Sequence, residues 1–322
     1  EISCSLVGSE MCIRDSSYSD VFGKELVRLA EEDSRICAVT AAMEHGTGLH
    51  HFARKFPNRY YDVGIAEQHA VTFSAGLASM GELPVFAVYS SFLQRAYDQL
   101  MHDVAIGGLH VVLGIDRAGV VGEDGETHHG LYDVSFLSTV PGAVIYAPAC
   151  YDELRLCLRR ALYRDKGLAC VRYPRGNDKS VFDKSALNTE YTHVSGKKTD
   201  ILYISYGRVY DNLYRAAKRC AEQEVHCDLL KLTRIFPLAD GVVDIAMSYR
   251  HVVFLEEAYY YGGISQLFGD LLLERGFQGT YRRVAPKQYL LQASTDSQME
   301  TMGLSEYAIY RDIRQEAEHG ET

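Results

Sequence analysis

The sequence lacks most of the short signatures that announce a chemistry. No Walker phosphate loop, GxGxxG fingerprint or GxSxG elbow occurs in its 322 residues, which leaves the common nucleotide-binding and serine-hydrolase designs without a foothold. The eight cysteines, at positions 4, 12, 37, 150, 157, 170, 220 and 227, form no CxxC pair. HExxH is missing too, so zinc is not suggested, and the thiols are read as reduced, as in a cytoplasmic protein. There is no basic excess: 33 Lys plus Arg against 43 Asp plus Glu leave a net charge of -10. That balance argues against a general nucleic-acid binder, although a few local arginines can still gather a small anion. No stretch approaches the roughly 18 uninterrupted apolar residues of a membrane helix, and no basic region precedes an apolar core at the start. Membrane insertion and secretion are therefore not expected.

What is present is an ordinary globular composition, 47% hydrophobic and 24% charged. At about 150 residues per domain the length suits two cores. Short apolar runs alternate with amphipathic stretches from Tyr18 onward. The pattern predicts strands at 36–40, 60–63, 85–89, 110–115, 143–146 and 169–172, and helices at 66–80, 92–106 and 152–163. That rhythm predicts an α/β domain with a mostly parallel sheet wrapped by helices on both faces. A polar stretch over 176–199, rich in Asn, Asp, Lys and Ser, interrupts it. A second alternation, with strands predicted at 201–205, 227–232, 251–255 and 281–284, implies a smaller α/β domain. The domains are accordingly set at 17–178 and 200–322, with 179–199 as linker. Residues 1–16, EISCSLVGSEMCIRDS, fit neither the helix that follows nor the rest, and are read as a non-native adapter scar, with the gene continuing upstream.

The chemically informative residues cluster between Asp62 and Gly176. Glu67 opens a helix rich in small and apolar residues, which sets a carboxyl beside a buried niche; taken alone, an acid favoured by the helix macrodipole is the simpler reading. Tyr89 and Phe92 could form a strand-end core pair. Arg95 follows Phe92 by about one helical turn, so both can face one cleft, or Arg95 can pair on the surface with Asp98. The segment 116–130 holds four glycines with Arg117, Asp124, His128 and His129. Its place after a strand's carboxyl end is where open α/β sheets carry ligand loops. On their own, Asp124 and His129 read as solvated loop, while His69 could be a satisfied core histidine and no role is inferable for it.

Three long strings carry a resemblance: DVGIAEQHAVTFSAGLA at 62–78, YSSFLQRAYDQLMHDVAI at 89–106 and DRAGVVGEDGETHHG at 116–130. With VRYPRGN at 171–177 and EEAYYYGG at 256–263 they resemble the 1-deoxy-D-xylulose-5-phosphate synthases, which are transketolase-like thiamine diphosphate enzymes. The likeness covers essentially everything after residue 16. It implies a pyrimidine-binding domain followed by a transketolase C-terminal domain, with thiamine diphosphate as cofactor. The implied reaction joins pyruvate and glyceraldehyde 3-phosphate with loss of carbon dioxide, feeding isoprenoid, thiamine and pyridoxal synthesis in a homodimer.

By the same resemblance, Glu67 is the acid that protonates or hydrogen-bonds the cofactor's pyrimidine ring. Phe92, with Tyr89 beside it, stacks on that ring, and Arg95 lines the cofactor pocket. Arg117 and Arg175 converge on the substrate phosphate, where a planar fork suits the oxyanion. Asp124 and His128, with Tyr89, address the sugar hydroxyls and the reacting carbonyl, since an imidazole can relay a proton near neutral pH. Glu256 and Glu257 are expected in packing or a dimer contact. The family holds magnesium and the diphosphate through a GDG motif on an N-terminal domain, and no GDG triplet occurs here. No metal ligand is therefore assigned, and the chain is expected to be the C-terminal two-thirds of such an enzyme, inactive alone. Three rivals share the layout: a β subunit of a 2-oxo-acid dehydrogenase E1 component, the C-terminal chain of a split transketolase, and a non-catalytic assembly partner. The SFLQRAYDQ and DRAGVVGEDGETHHG strings argue against the first two, and retention of Glu67 and Arg117 against the third.

Overall fold

A computed structural model describes residues 17–320 except Ala186, so the scar assigned to 1–16 lies outside the described residues. The first half of the chain supplies strands β1 (Ile36–Thr40), β2 (Tyr60–Asp62), β3 (Leu83–Tyr89), β4 (Val111–Asp116), β5 (Val144–Tyr146) and β6 (Leu168–Arg172). The second supplies β7 (Tyr191–Val194), β8 (Ile201–Tyr206), β9 (Asp228–Leu232), β10 (Arg234–Phe236), β11 (His251–Leu255) and β12 (Thr280–Val284). Two sheets result, ordered β10-β5-β6-β4-β3-β1-β2 and β12-β11-β8-β9-β7. The fold is thus two α/β domains with mostly parallel sheets, as the alternation required.

The central strands are apolar runs rather than alternating ones because both faces are covered. β1, β4 and β6 are buried at every position, the mark of a parallel strand between two helical layers. One layer includes Tyr18–Glu32 and Tyr151–Tyr163, which pack Phe22, Leu26, Leu154 and Leu158 against that face. The other includes Glu67–Ser79, with Ala70, Val71 and Ala75 inward.

Three local features differ from the sequence expectation. Tyr191–Val194, inside the segment expected to be linker, forms β7 and pairs antiparallel with β9. β10 crosses to the first sheet and pairs antiparallel with β5 at its edge. Both are short strands whose partners are distant in sequence, so neither carries a periodic signal of its own. The helix expected over 92–106 is broken: Ser90–Leu93 is α-helical, Gln94–Ala96 tightens to a 3-10 turn, and Leu100–Ala105 widens to a π-helix, a geometry found mostly as short insertions. At the domain junction the Lys231 ammonium meets Glu153, with both side chains at most 2% exposed. Breaking such a buried pair from one side costs about 3–5 kcal/mol, so the junction is fastened and not merely apposed.

In the first sheet the parallel register brings the carboxyl ends of neighbouring strands side by side: Tyr89 of β3 stands opposite Asp116 of β4, and Ile115 opposite Arg172 of β6. The loops that leave these ends share one edge of the sheet, which is where open α/β sheets bind ligands.

Candidate functional site

At that edge the structure brings most of the expected residues together. Glu67 is the first residue of its helix and only 2% exposed. Its carboxylate accepts from Arg95 Nη1 at 3.3 and 3.5 Å. Arg95 therefore turns to Glu67, not to Asp98, which pairs with His102 at 3.0 Å. The Arg95 guanidinium also lies 5.4 Å from the Phe92 ring centroid, a cation–π distance. One turn of the broken helix thus gives a ring, a cation and a bridge to a buried acid.

Three rings continue the wall. Tyr89 and Phe92 stack with centroids 5.7 Å apart, and His128 meets them edge-on at 6.2 and 5.2 Å. His128 Nδ1 is 3.0 Å from Thr127 Oγ1. The Arg117 guanidinium also meets Tyr89, 4.2 Å from the ring centroid. Burial raises the Tyr89 phenol above its ordinary value, so it remains a neutral hydroxyl at physiological pH.

Arg117 is pinned more firmly than any other residue of the group. It has φ +60, and its Nη1 donates to Gly46 O at 2.5 Å, Asp116 Oδ1 at 2.8 Å and Ser19 Oγ at 3.2 Å. Asp116 is wholly buried, and its carboxyl is raised from its ordinary value by burial, with Arg117 opposing. Arg117 Nε is buried with no partner. The Arg117 side chain is 15% exposed and lines a cavity, and an oxyanion is the acceptor a guanidinium suits.

Arg117 and Arg175 both line a cavity of about 540 Å³ between the two domains, together with Ser19, Arg208, Asp211 and Thr295. Arg175 is half-exposed and forms an ion pair with Asp124, Nε to Oδ2 3.0 Å. The cavity thus reaches both arginines, while His128 stands on the ring cluster beyond Tyr89 and is not part of its wall. The glutamate end and the arginine end are two parts of one edge, joined through Tyr89.

Several residues were read differently from sequence. His129 is not solvated loop: it is 4% exposed and accepts from Val121 N through Nδ1 at 3.2 Å. Desolvation lowers its pKa below the ordinary 6.5. His69 is not a core histidine but exposed, with its ring 6.1 Å from Phe73. Glu256 and Glu257 do pack, and across different joints. Glu256 accepts from Tyr206 Oη at 2.9 Å and from the Ile264 and Ser265 amides at 3.0 Å each, while Glu257 takes Arg208 and the amide of Val120. No motif announces Ser19, Gly46 or Arg208, which reach the site from elements far away in sequence. Where no metal ligand was assigned, Asp20, His50 and His51 bring donor atoms within 4.8 Å of one another, and His51 Nε2 lies 3.1 Å from Asp20 Oδ1. All six cysteines among the described residues are free. No helix of the described residues is long and apolar enough to cross a membrane.

Comparisons with known proteins bear on this arrangement. The family described as transketolase, pyrimidine binding domain, matches residues 14–179, and that described as transketolase, C-terminal domain, matches 190–309. Over 275 residues the chain is 42% identical to the 1-deoxy-D-xylulose-5-phosphate synthase of Clostridium acetobutylicum, covering 84% of this chain and 44% of that protein. To the synthase of Thermomicrobium roseum it is 45% identical over 261 residues, covering 80% and 41%. The chain spans about half the length of the curated relatives it matches, less than the two-thirds expected. Among solved structures, a split gene transketolase described as an inactive beta4 tetramer superposes with TM-score 0.80 at 21% identity, covering 93% of this chain and 97% of that one. A transketolase from Pichia stipitis gives TM-score 0.78 at 12% identity, covering 95% and 46%. At those identities the structural likeness speaks for the fold alone.

Proposed function

The chain belongs to the transketolase family through its pyrimidine-binding and C-terminal domains, and on that premise we propose that it forms the pyrimidine side of a thiamine-diphosphate-dependent 1-deoxy-D-xylulose-5-phosphate synthase. The observation that carries this is the wall formed by Glu67, Arg95, Phe92, Tyr89 and His128, ending at Arg117 with its unpartnered Nε. A buried carboxylate held only by long contacts, next to a stacked ring pair, fits an aminopyrimidine. With the cofactor bound, Glu67 would exchange a proton with that ring at its carboxyl and Phe92 would stack on it, while Arg95 keeps the carboxylate in place. When bound, thiamine diphosphate supplies the thiazolium carbon that takes up the two-carbon unit. His128 relays a proton at the reacting carbonyl of the acceptor. Arg117 and Arg175 grip the phosphate of glyceraldehyde 3-phosphate, and Asp124 orders Arg175 and meets the sugar hydroxyls. Pyruvate is the donor. The diphosphate and its magnesium are held by residues outside this sequence, and the working assembly is a cytoplasmic homodimer.

The test supplies the complementary half. The chain with thiamine diphosphate and magnesium alone is expected to make no product from pyruvate and glyceraldehyde 3-phosphate. Fused at Tyr18 to the diphosphate-binding half of a synthase, it is expected to turn over. Product from the unfused chain overturns the incomplete-site reading. A folded, cofactor-binding fusion that makes no product overturns the synthase assignment.

A further inference from the structure

The loop between β4 and residue 131 carries Arg117, Asp124 and His128, yet its own sheet does not hold its middle. The C-terminal domain does. Glu257 Oε1 accepts from Val120 N at 2.6 Å, Arg208 Nη2 donates to Val120 O at 2.6 Å, and Arg208 Nε donates to Glu257 Oε2 at 2.8 Å. Both backbone groups of one loop residue are thus closed by one ion pair from the other domain. Two residues on, Gln298 Oε1 accepts from Gly122 N at 3.1 Å, with its own amide nitrogen fixed on Leu291 O at 2.9 Å. Gln292 Nε2 donates to Glu123 O at 2.9 Å, and Tyr259 N donates to Leu131 O at 2.8 Å.

Glu257 and Gln298 are 5% and 2% exposed. Buried polar groups of this kind are costly unless satisfied, and here each is spent on loop backbone. Gly119 completes the fit: at φ +87, a Cβ there meets the Glu257 carboxyl carbon at 2.3 Å, so only glycine lets the loop lie on the carboxylate. Hydrogen bonds to backbone fix a loop's path without engaging its side chains, and the fixed points, Val120 to Glu123, lie between Arg117 and His128. We propose that Glu257, Arg208 and Gln298 are positioning residues, through which the C-terminal domain clasps the loop and sets the spacing of Arg117 from His128. A misplacement on the order of 1 Å in such a spacing is enough to cost a large part of a site's efficiency. The inference rests on the reading of this loop as the holder of a phosphorylated acceptor.

The chain as it stands suffices for the test. Amide hydrogen exchange over 117–130 and titration with inorganic phosphate and glyceraldehyde 3-phosphate are compared in the parent, Glu257→Ala, Glu257→Gln and the milder Gln298→Ala. In both alanine variants, exchange at Val120 and Gly122 is expected to accelerate at least tenfold while β8 keeps its protection, and the phosphate dissociation constant is expected to rise about tenfold. Glu257→Gln keeps an acceptor for Val120 N and is expected to recover most of the affinity. Unchanged loop exchange in both alanine variants overturns the clasp. Faster loop exchange with unchanged phosphate affinity overturns its positioning role. A parent chain that binds neither ligand sinks the phosphate reading of Arg117 and Arg175 instead, and the exchange comparison then decides the clasp by itself.

Discussion

The two ends of the candidate site are built by different means. The glutamate end is local to the first domain: Phe92 and Arg95 are three residues apart, and Glu67 opens the helix packed beside them. Its arginine is half-exposed, with 52% of the side chain open to solvent. The arginine end is composite: Arg117 is bonded to Ser19 and Gly46 from elsewhere in its domain, and its loop is held by Glu257, Arg208 and Gln298 from the other domain. A group that moves a proton needs burial and a near neighbour, which one helix and one turn can supply. A pair of groups that must keep a distance from each other needs a frame, and a loop leaving a sheet does not provide one.

The comparison breaks most visibly at Glu67. In the fused, active form Glu67→Gln is expected to lower kcat by about 10²–10⁴-fold, the range for a lost proton-transfer group, with little change in the melting temperature. Near-parent kcat in a folded Glu67→Gln enzyme removes the acid from the mechanism. At the composite end, Arg117→Lys keeps the charge but loses the planar fork. It is expected to raise KM for glyceraldehyde 3-phosphate by about 10–100-fold, the worth of one charge-assisted hydrogen bond, while KM for pyruvate holds. Equal effects on both substrates show that Arg117 supports the fold and not the phosphate.

Smaller effects sharpen the contrast. Arg95→Ala removes a solvent-screened contact, of a kind worth up to about 1 kcal/mol, so kcat is expected to fall about fivefold or less; a loss as deep as that of Glu67→Gln makes Arg95 a direct participant. The smallest effect is with pH. His129 holds its proton less well in the fold than its ordinary 6.5, chiefly through desolvation, with His128 acting in the same direction and Glu257 and Glu126 opposing. The unfolded chain therefore binds more protons in mild acid, so the stability this histidine contributes is present above pH 6.5 and declines as pH falls through the native value. Denaturant midpoints between pH 7.5 and pH 5 are expected to drop more steeply in the parent than in His129→Gln, and parallel slopes remove His129 from the accounting.

The α/β alternation was legible because strands buried on both faces are apolar runs and helices covering them repeat at three to four residues; β1, β4 and β6 show it at every position. The meeting of Phe92 and Arg95 was legible for a related reason: residues three apart on one turn share a face wherever that turn is placed. β7 and β10 escaped because three or four residues with distant partners have no period to read. The burial of His129 escaped because a side chain's exposure depends on what packs over it, and Gln298 and Leu290 lie far along the chain from it.

By itself, then, the sequence determined the layers and the chain order of the strong strands, since those follow from local pattern. Only the tertiary structure decided which distant residues meet. Arg117 faces Ser19 and Gly46, Arg208 spans to Val120, and Lys231 reaches Glu153. Each of these contacts joins segments separated by tens of residues, and such pairing is settled by the packing of whole domains, which no short stretch of chain encodes.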